Sequence, residues 1–308
     1  MKAIVRRAAD AAERARMWLM GQRWFTSALL PALPRWLRWL LRKMYLGPID
    51  AADRLLGSRQ AGVPPKAGTF TGPVHDFAQS GQNLVDAVRD VAAMTPSSHI
   101  LDVGCGVGRF ALPMTRFLAA DGAYDGLDIV REGIEWCRAN IVGPHGNLHF
   151  TLADIRNKEY NPHGRVAATD YRFPYSDGTF DVAVLVSVFT HMLPVEVDHY
   201  LAEISRVLKP GGRIFSTSFL LNRESVELMN AGAASLRFKH NLGSHWIVSR
   251  RVPELAIGYD ERFLLSLYRK HGFSEHSKIY RGAWCGRAGH WPHDSGLGDQ
   301  DTVVATKT

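Results

Sequence analysis

Cysteine is scarce in this chain: Cys105, Cys137 and Cys285 are far apart and form no CxxC pair. That excludes a disulfide framework and a cysteine-rich zinc site, and it suits a reducing, cytoplasmic compartment. No uninterrupted apolar run reaches the roughly 20 residues that a spanning helix needs, because arginines and prolines interrupt every candidate. A secretory signal is missing too: the early arginines are scattered, and no small-residue cleavage site follows an apolar segment. Internal repeats and low-complexity tracts are absent. Acidic residues are almost lacking from residues 1–45, where Asp10 and Glu13 stand against ten lysines and arginines. This segment carries a net charge of +8, and the rest of the chain −1. The basic character therefore belongs to an N-terminal arm, and a nucleic-acid substrate for the main body gains no support from it.

What is present is ordinary globular composition: 308 residues, 46% hydrophobic and 22% charged. Bulk disorder and collagen-like structure are excluded. The length suits one large domain with additions, or two small ones.

Residues 1–48 read as a basic helical arm. A helix is predicted from Ala3 to Met20 and a second from Arg35 to Leu46, stopped by Gly47-Pro48. In the second, Arg35, Arg38 and Arg42 share one face, and Leu37, Leu40, Leu41 and Met44 another, flanked by Trp36 and Trp39. Three readings fit: a helix lying in an anionic membrane interface, a helix packed on the protein's own surface, or an organellar transit peptide. The division of Arg from Trp and Leu favours the first, with the protein peripheral at the membrane. Residues 49–75, rich in Gly and Pro from Gly57 onward, are expected to link the arm to a domain at 76–308.

From about residue 77 helical and strand-like segments alternate. Strands are expected at His99–Val103, Ala123–Ile129, Leu148–Leu152, Phe180–Ser187, Gly212–Thr217, Ser274–Tyr280 and Thr302–Ala305. Helices are expected at Leu84–Met94, Arg109–Ala119, Gly133–Ile141, Pro194–Leu208 and Glu261–His271. Such alternation implies an α/β fold whose parallel sheet is covered on both faces.

The first strand runs into Gly104-Cys105-Gly106-Val107-Gly108, which lets the backbone turn sharply and approach a ligand. Ligands of open parallel sheets bind beyond the C-terminal strand ends. A dinucleotide fingerprint needs G-x-G-x-x-G, but position 109 is arginine. Asp128 ends the next strand, 24 residues after Gly104, where a carboxylate can accept from ribose hydroxyls. Asp154 ends the third, where it can accept from an exocyclic amine. Acids at three strand ends, Asp102, Asp128 and Asp154, suit a cationic adenosine-bearing ligand better than a pyrophosphate.

Together with Gly126-Leu127-Asp128-Ile129, Ala153-Asp154-Ile155, Ser187-Val188-Phe189-Thr190-His191-Met192 and Arg206-Val207-Leu208-Lys209-Pro210-Gly211-Gly212, these segments resemble the class I S-adenosylmethionine-dependent methyltransferases over roughly residues 76–308. The resemblance implies a Rossmann-like seven-stranded sheet with an antiparallel last strand pair, and S-adenosyl-L-methionine as cofactor. It places Gly104 and Gly106 under the methionine portion and Asp102 near its ammonium. Asp128, with Ile129 beside it, would hold the ribose, Asp154 and Ile155 the adenine, and Ser187 would line the site below the methyl group. Residues 219–257 would be an acceptor-side insertion.

Methyl transfer needs a nucleophile aligned with the methyl, and a hydroxyl nucleophile gains from proton removal. His191, after the fourth strand, is the candidate base, against the alternative that it caps or packs structurally. His240, His245, Arg250 and Arg251 in the insertion are further polar candidates. Cys285, His290 and His293 have ligand-like spacing, but no fourth ligand is evident and no metal is expected. The amino-methylating pattern [ND]-P-P-[FYW] is absent after the fourth strand. The expected activity is O-methylation of a small or lipid-linked acceptor, such as a glycolipid or secondary metabolite. N-methylation of a small molecule or of RNA is the rival, and a non-catalytic donor-binding module recruited to membranes is another.

Overall fold

The computed structural model describes residues 35–69, 76–158, 160–292 and 296–308. The predicted helix at Ala3–Met20 lies outside them. The chain divides into two compact units, Met1–Val74 and His75–Thr308. No helix among the described residues is long and apolar enough to cross a membrane.

In the first unit, helix α1 (Arg35–Leu56) does not stop at Gly47-Pro48 as expected but continues through both. A helical glycine costs about 1 kcal/mol and a proline about 3, so packing must outweigh propensity. It does so on the side formed by Leu46, Ile49 and Asp50, all buried. The Lys66 and Ala67 N–H groups donate to the Asp50 carboxylate at 2.7 and 2.9 Å. Arg42 donates to the Lys66 carbonyl at 3.0 Å and also to that of Thr69. Within the linker expected at 49–75, residues 49–56 thus continue the helix and residues 57–69 fold back on it.

The second unit is an α/β layer structure. In chain order it contains α2 (Phe77–Ala92), β1 (His99–Val103), α3 (Ala111–Phe117), β2 (Ala123–Asp128), α4 (Arg131–Asn140), β3 (Leu148–Leu152), β4 (Phe180–Leu185), α5 (Pro194–Val207), β5 (Leu208–Leu221), α6 (Arg223–Asn230), β6 (His240–Asn241), β7 (His245–Ile247), β8 (Ile257–Asp260), α7 (Glu261–Lys270), β9 (Lys278–Tyr280) and β10 (Asp301–Thr306). The expected seven strands are present in the order β3-β2-β1-β4-β5-β10-β9. β10 runs antiparallel to both β5 and β9, whereas β1 to β5 are mutually parallel. The sheet exceeds the expectation by three strands, giving ten among the described residues. The extra strands arise because β5 runs to Leu221, past the edge of the parallel core. Its residues Phe219–Leu221 pair with β8, which pairs in turn with β7 and β7 with β6. The expected acceptor-side insertion is therefore part of the sheet.

Alternation along the central strands sorts side chains onto two faces. Leu101, Ala183 and Leu185 join a core with Val197, Leu201 and Ile204 of α5 and Leu264 of α7. Ile100, Val182 and Val184 join the opposite core, with Val85 and Val88 of α2, Met114 of α3 and Ile134 of α4. A third, smaller core under the insertion gathers Phe238, Met229 and Trp284. The fully buried Asp301 ties it to the main sheet. Its carboxylate accepts from Leu220 N–H (3.0 Å), Gly282 N–H (3.0 Å) and Trp284 Nε1–H (2.8 Å). Removing it leaves three buried donors, each costing about 1–3 kcal/mol when unsatisfied. Asp301→Ala is expected to lower unfolding free energy by at least ~3 kcal/mol in chemical denaturation; a loss below about 1 kcal/mol would show that solvent replaces these bonds.

Candidate donor site and the exit of the fourth strand

The glycine loop follows β1 directly. Gly104, Gly106 and Gly108 have φ of +81°, +58° and +82°, conformations that L side chains rarely adopt. A Cβ on Gly104 would lie 2.5 Å from Val188 Cγ2, and one on Gly108 2.2 Å from Ile141 Cδ1. The loop is thus packed beneath by α4 and covered at Gly104 by the residues after β4.

Asp128, at the end of β2, holds this loop. One carboxylate oxygen accepts from Gly106 N–H at 2.7 Å and the other from Val130 N–H at 2.7 Å. Burial raises its pKa, while these N–H groups and that of Ile129 pull it back. An ionised carboxylate has about four acceptor positions, so capacity remains for a further donor. Asp102 is buried within β1, and Tyr124 donates its hydroxyl to it at 2.6 Å. Burial pushes the Asp102 pKa up to about 7, opposed by the Tyr124 hydroxyl and augmented by Asp128. Arg109, the residue that breaks the dinucleotide spacing, has a buried Nη1 without a hydrogen-bond partner.

Asp154 differs from its expected setting. Its carboxylate is ion-paired with the exposed Arg165, which also donates its backbone N–H at 3.3 Å. Hydrogen bonding from Arg165 lowers its pKa. Ile155 is buried in the main core and bridges to Val166. The three strand-end acids thus have three different settings. Asp154 stays ionised beside the exposed Arg165, the pKa of Asp102 is raised by burial, and Asp128 carries the clearest acceptor geometry.

Ser187 leaves β4 with φ of +60°, one of two non-glycine residues in the left-handed region among those described. Strain of this kind persists where surroundings over-determine it. Here a closed ring does so. The Ser187 N–H donates to Thr217 Oγ1 at 2.8 Å, Thr217 Oγ1–H to Gln300 Oε1 at 2.5 Å, and Gln300 Nε2–H to Ser187 Oγ at 2.9 Å. Thr217 and Gln300 carry no motif signal, and only the pairing of β10 with β5 brings them to Ser187.

His191 closes a single 3-10 turn, Phe189–His191. Its Nδ1 lies 2.8 Å from the Glu254 carbonyl and its Nε2 3.4 Å from the Tyr160 hydroxyl. A carbonyl only accepts, so the neutral ring carries its proton on Nδ1 and presents Nε2 as an acceptor. Glu254 is itself buried, with Lys158 3.7 Å from its carboxylate. Tyr160 and Glu254 were not legible as partners of His191.

Of the insertion candidates, His240 lies in β6 and His245 in β7, where Ser244 Oγ is 3.2 Å from its Nδ1. Cys285 is buried with Arg287 Nε–H donating to it at 3.0 Å. His290 packs against Tyr280 and Trp291, with ring centroids 4.8 and 4.6 Å apart, and His293 lies outside the described residues.

Residues 101–216 match the family profile described as "Methyltransferase domain". Residues 101–216 of the chain thus form a methyltransferase domain. Similar proteins include phthiotriol/phenolphthiotriol dimycocerosates methyltransferase 1 of Mycobacterium ulcerans, 34% identical over 42% of this chain and 40% of that protein. The fatty-acid O-methyltransferase of Mycolicibacterium smegmatis is 34% identical over 39% of this chain and 36% of its own. A third, the tRNA N(3)-cytidine methyltransferase METTL2 of Gallus gallus, is 25% identical over 43% of this chain and 33% of its own. The chain thus spans less than half the length of each. The domain's cofactor is S-adenosylmethionine, and the donor set fits it: a positive-φ glycine cradle, the Asp128 acceptors and an orphaned guanidinium N–H on the loop.

Two outcomes follow from this geometry. The folded pKa of Asp102 lies above its unfolded value, so its contribution favours folding fully at low pH and is lost as pH rises through about 7. Asp102→Asn, which can still accept from Tyr124, should flatten the fall in denaturant-derived stability between acid and mildly alkaline pH, by at most about 1.4 kcal/mol per pH unit. Identical pH profiles for the two proteins would refute the raised carboxyl. Gln300→Leu should release Ser187 and weaken S-adenosylmethionine binding several-fold by calorimetry, while Gln300→Glu, which keeps one oxygen for Thr217, should do less harm. Equal affinities in both variants would leave the ring without a positioning role.

Proposed function

We propose that the protein transfers a methyl group from S-adenosylmethionine to a hydroxyl of a small or lipid-linked acceptor, with His191 as the base. The observation that carries this is the His191 ring, held at Nδ1 by the Glu254 carbonyl at 2.8 Å so that Nε2 is the acceptor. Asp128 would hold the ribose, Gly104 and Gly106 would lie under the methionine portion, and the orphaned Arg109 N–H would meet its carboxylate. Asp154 would reach the adenine only by sharing its oxygens with Arg165.

The donor, when bound, supplies a methyl already activated on a sulfonium. The task left to the chain is alignment at about 3 Å, worth ~7–11 kcal/mol, and proton removal, worth about 10²–10⁴-fold. His191 Nε2 would take the acceptor's hydroxyl proton as the new O–C bond forms and the C–S bond breaks. The Glu254 carbonyl would stabilise the resulting imidazolium through Nδ1–H, and the proton would then pass to water. Tyr160, 3.4 Å from Nε2, would orient the ring and yield its place to the acceptor.

Lipid-linked acceptors are favoured by two relatives whose names specify dimycocerosates and fatty acids, and by the basic arm, through which we infer attachment to an anionic membrane surface. A relative named for tRNA supports the rival acceptor class, and the arm's charge would serve it equally. Salt-sensitive retention of RNA without binding to lipid vesicles would favour that rival.

His191→Asn should lower kcat by about 10²–10⁴-fold with little change in donor affinity, using labelled donor and a lipid-containing cell extract as acceptor source. Unchanged turnover would remove His191 as base. Asp128→Ala should weaken donor binding at least about tenfold, the equivalent of one lost charge-assisted hydrogen bond; equal dissociation constants would contradict the ribose assignment.

A further inference from the structure

Helix α1 has two unlike sides. One carries the buried Leu46, Ile49 and Asp50, and from it Arg42 donates to the carbonyls of Lys66 and Thr69. The other side is a stripe of Leu37, Leu41, Met44, Pro48, Ala51 and Leu55, spaced at 4, 3, 4, 3 and 4 residues, with Leu40 beside it. Such spacing keeps them on one face over five turns. This face is open: Leu40 is 42% exposed, Leu41 45%, Met44 66% and Leu55 77%. These are four of the seven exposed large hydrophobic side chains among the described residues, so the clustering is not the scatter expected of an ordinary surface.

Charge says what covers it. Residues 35–69 contain seven basic residues and two acids, Asp50 and Asp53. Both acids turn toward the loop, Asp50 accepting from Lys66 and Ala67 N–H, Asp53 accepting from Ser58 Oγ at 2.9 Å and pairing with Lys66 at 3.3 Å. The outward side of the helix thus offers no carboxylate. A second copy of the chain would bring like charge against like, whereas an anionic bilayer supplies both the apolar phase and the opposite sign.

We propose that the outward stripe of α1, from Leu37 to Leu55, is the face that inserts into an anionic lipid surface. This rests on the reading that the basic N-terminal segment is held at a membrane, and it differs from the sequence-based expectation in two ways. The docking face extends past Gly47-Pro48 to Leu55, and Arg42 braces the helix from behind instead of meeting phosphates.

The test is sedimentation of the full chain with phosphatidylcholine vesicles, with and without phosphatidylglycerol. The wild type should pellet with the anionic vesicles. Leu41→Ser/Met44→Ser, which alters no charge, should need about tenfold more lipid for half-binding, in line with the apolar area withdrawn, and Leu55→Ser should weaken binding in the same direction. Far-ultraviolet circular dichroism and S-adenosylmethionine affinity should stay unchanged in these variants, since the altered positions are exposed. Wild-type pelleting by the stripe variants would overturn the proposal. If they pellet normally but Arg6→Ser/Arg7→Ser/Arg14→Ser/Arg16→Ser does not, the membrane reading stands and the stripe is not its face. A wild type that pellets with no vesicle removes both. A dimer in sedimentation velocity that the stripe variants convert to monomer would assign the face to a second copy instead.

Discussion

One carboxylate, that of Asp128, holds the donor end of this domain together. It stands at the tip of β2 and takes one hydrogen bond from the glycine loop after β1 and another from the start of α4. The loop cannot brace itself, because its three positive-φ glycines contribute no side chains. Burying a carboxylate is costly, and two short N–H donors offset that cost while leaving acceptor positions for a ligand. The group that shapes the loop is therefore the same group proposed to bind the ribose.

The segment leaving β4 is built differently. It is strained at Ser187 and short-turned at His191, and neither feature is self-supporting. Ser187 is held by Thr217 and Gln300, from the middle of β5 and the approach to β10. His191 is held by a carbonyl from the insertion, 63 residues away in sequence. A change in the insertion can therefore alter the orientation of the candidate base without touching the donor loop.

Much of this was legible beforehand. Short apolar runs alternating with helical periodicity indicated the parallel strands, and β1 and β3 match their expected limits; β1, in the middle of the sheet, is buried from Ile100 to Val103. The glycine loop and Asp128 were legible because backbone conformation and a strand-end acid leave local marks. Another expectation failed for reasons of context. Gly47-Pro48 signals a helix end, yet burial of Leu46 and Ile49 on either side carries α1 through it.

The order of residues by itself determined the α/β class, the loop-and-acid donor motif and the separation of a basic arm from a near-neutral body, because each depends on composition or on neighbours within a few positions. Tertiary structure alone decided which acids keep their charge, what holds Ser187 and His191, and which face of α1 stays open. Those outcomes depend on desolvation and on hydrogen bonds between residues tens to more than a hundred positions apart, and no local pattern encodes such partners.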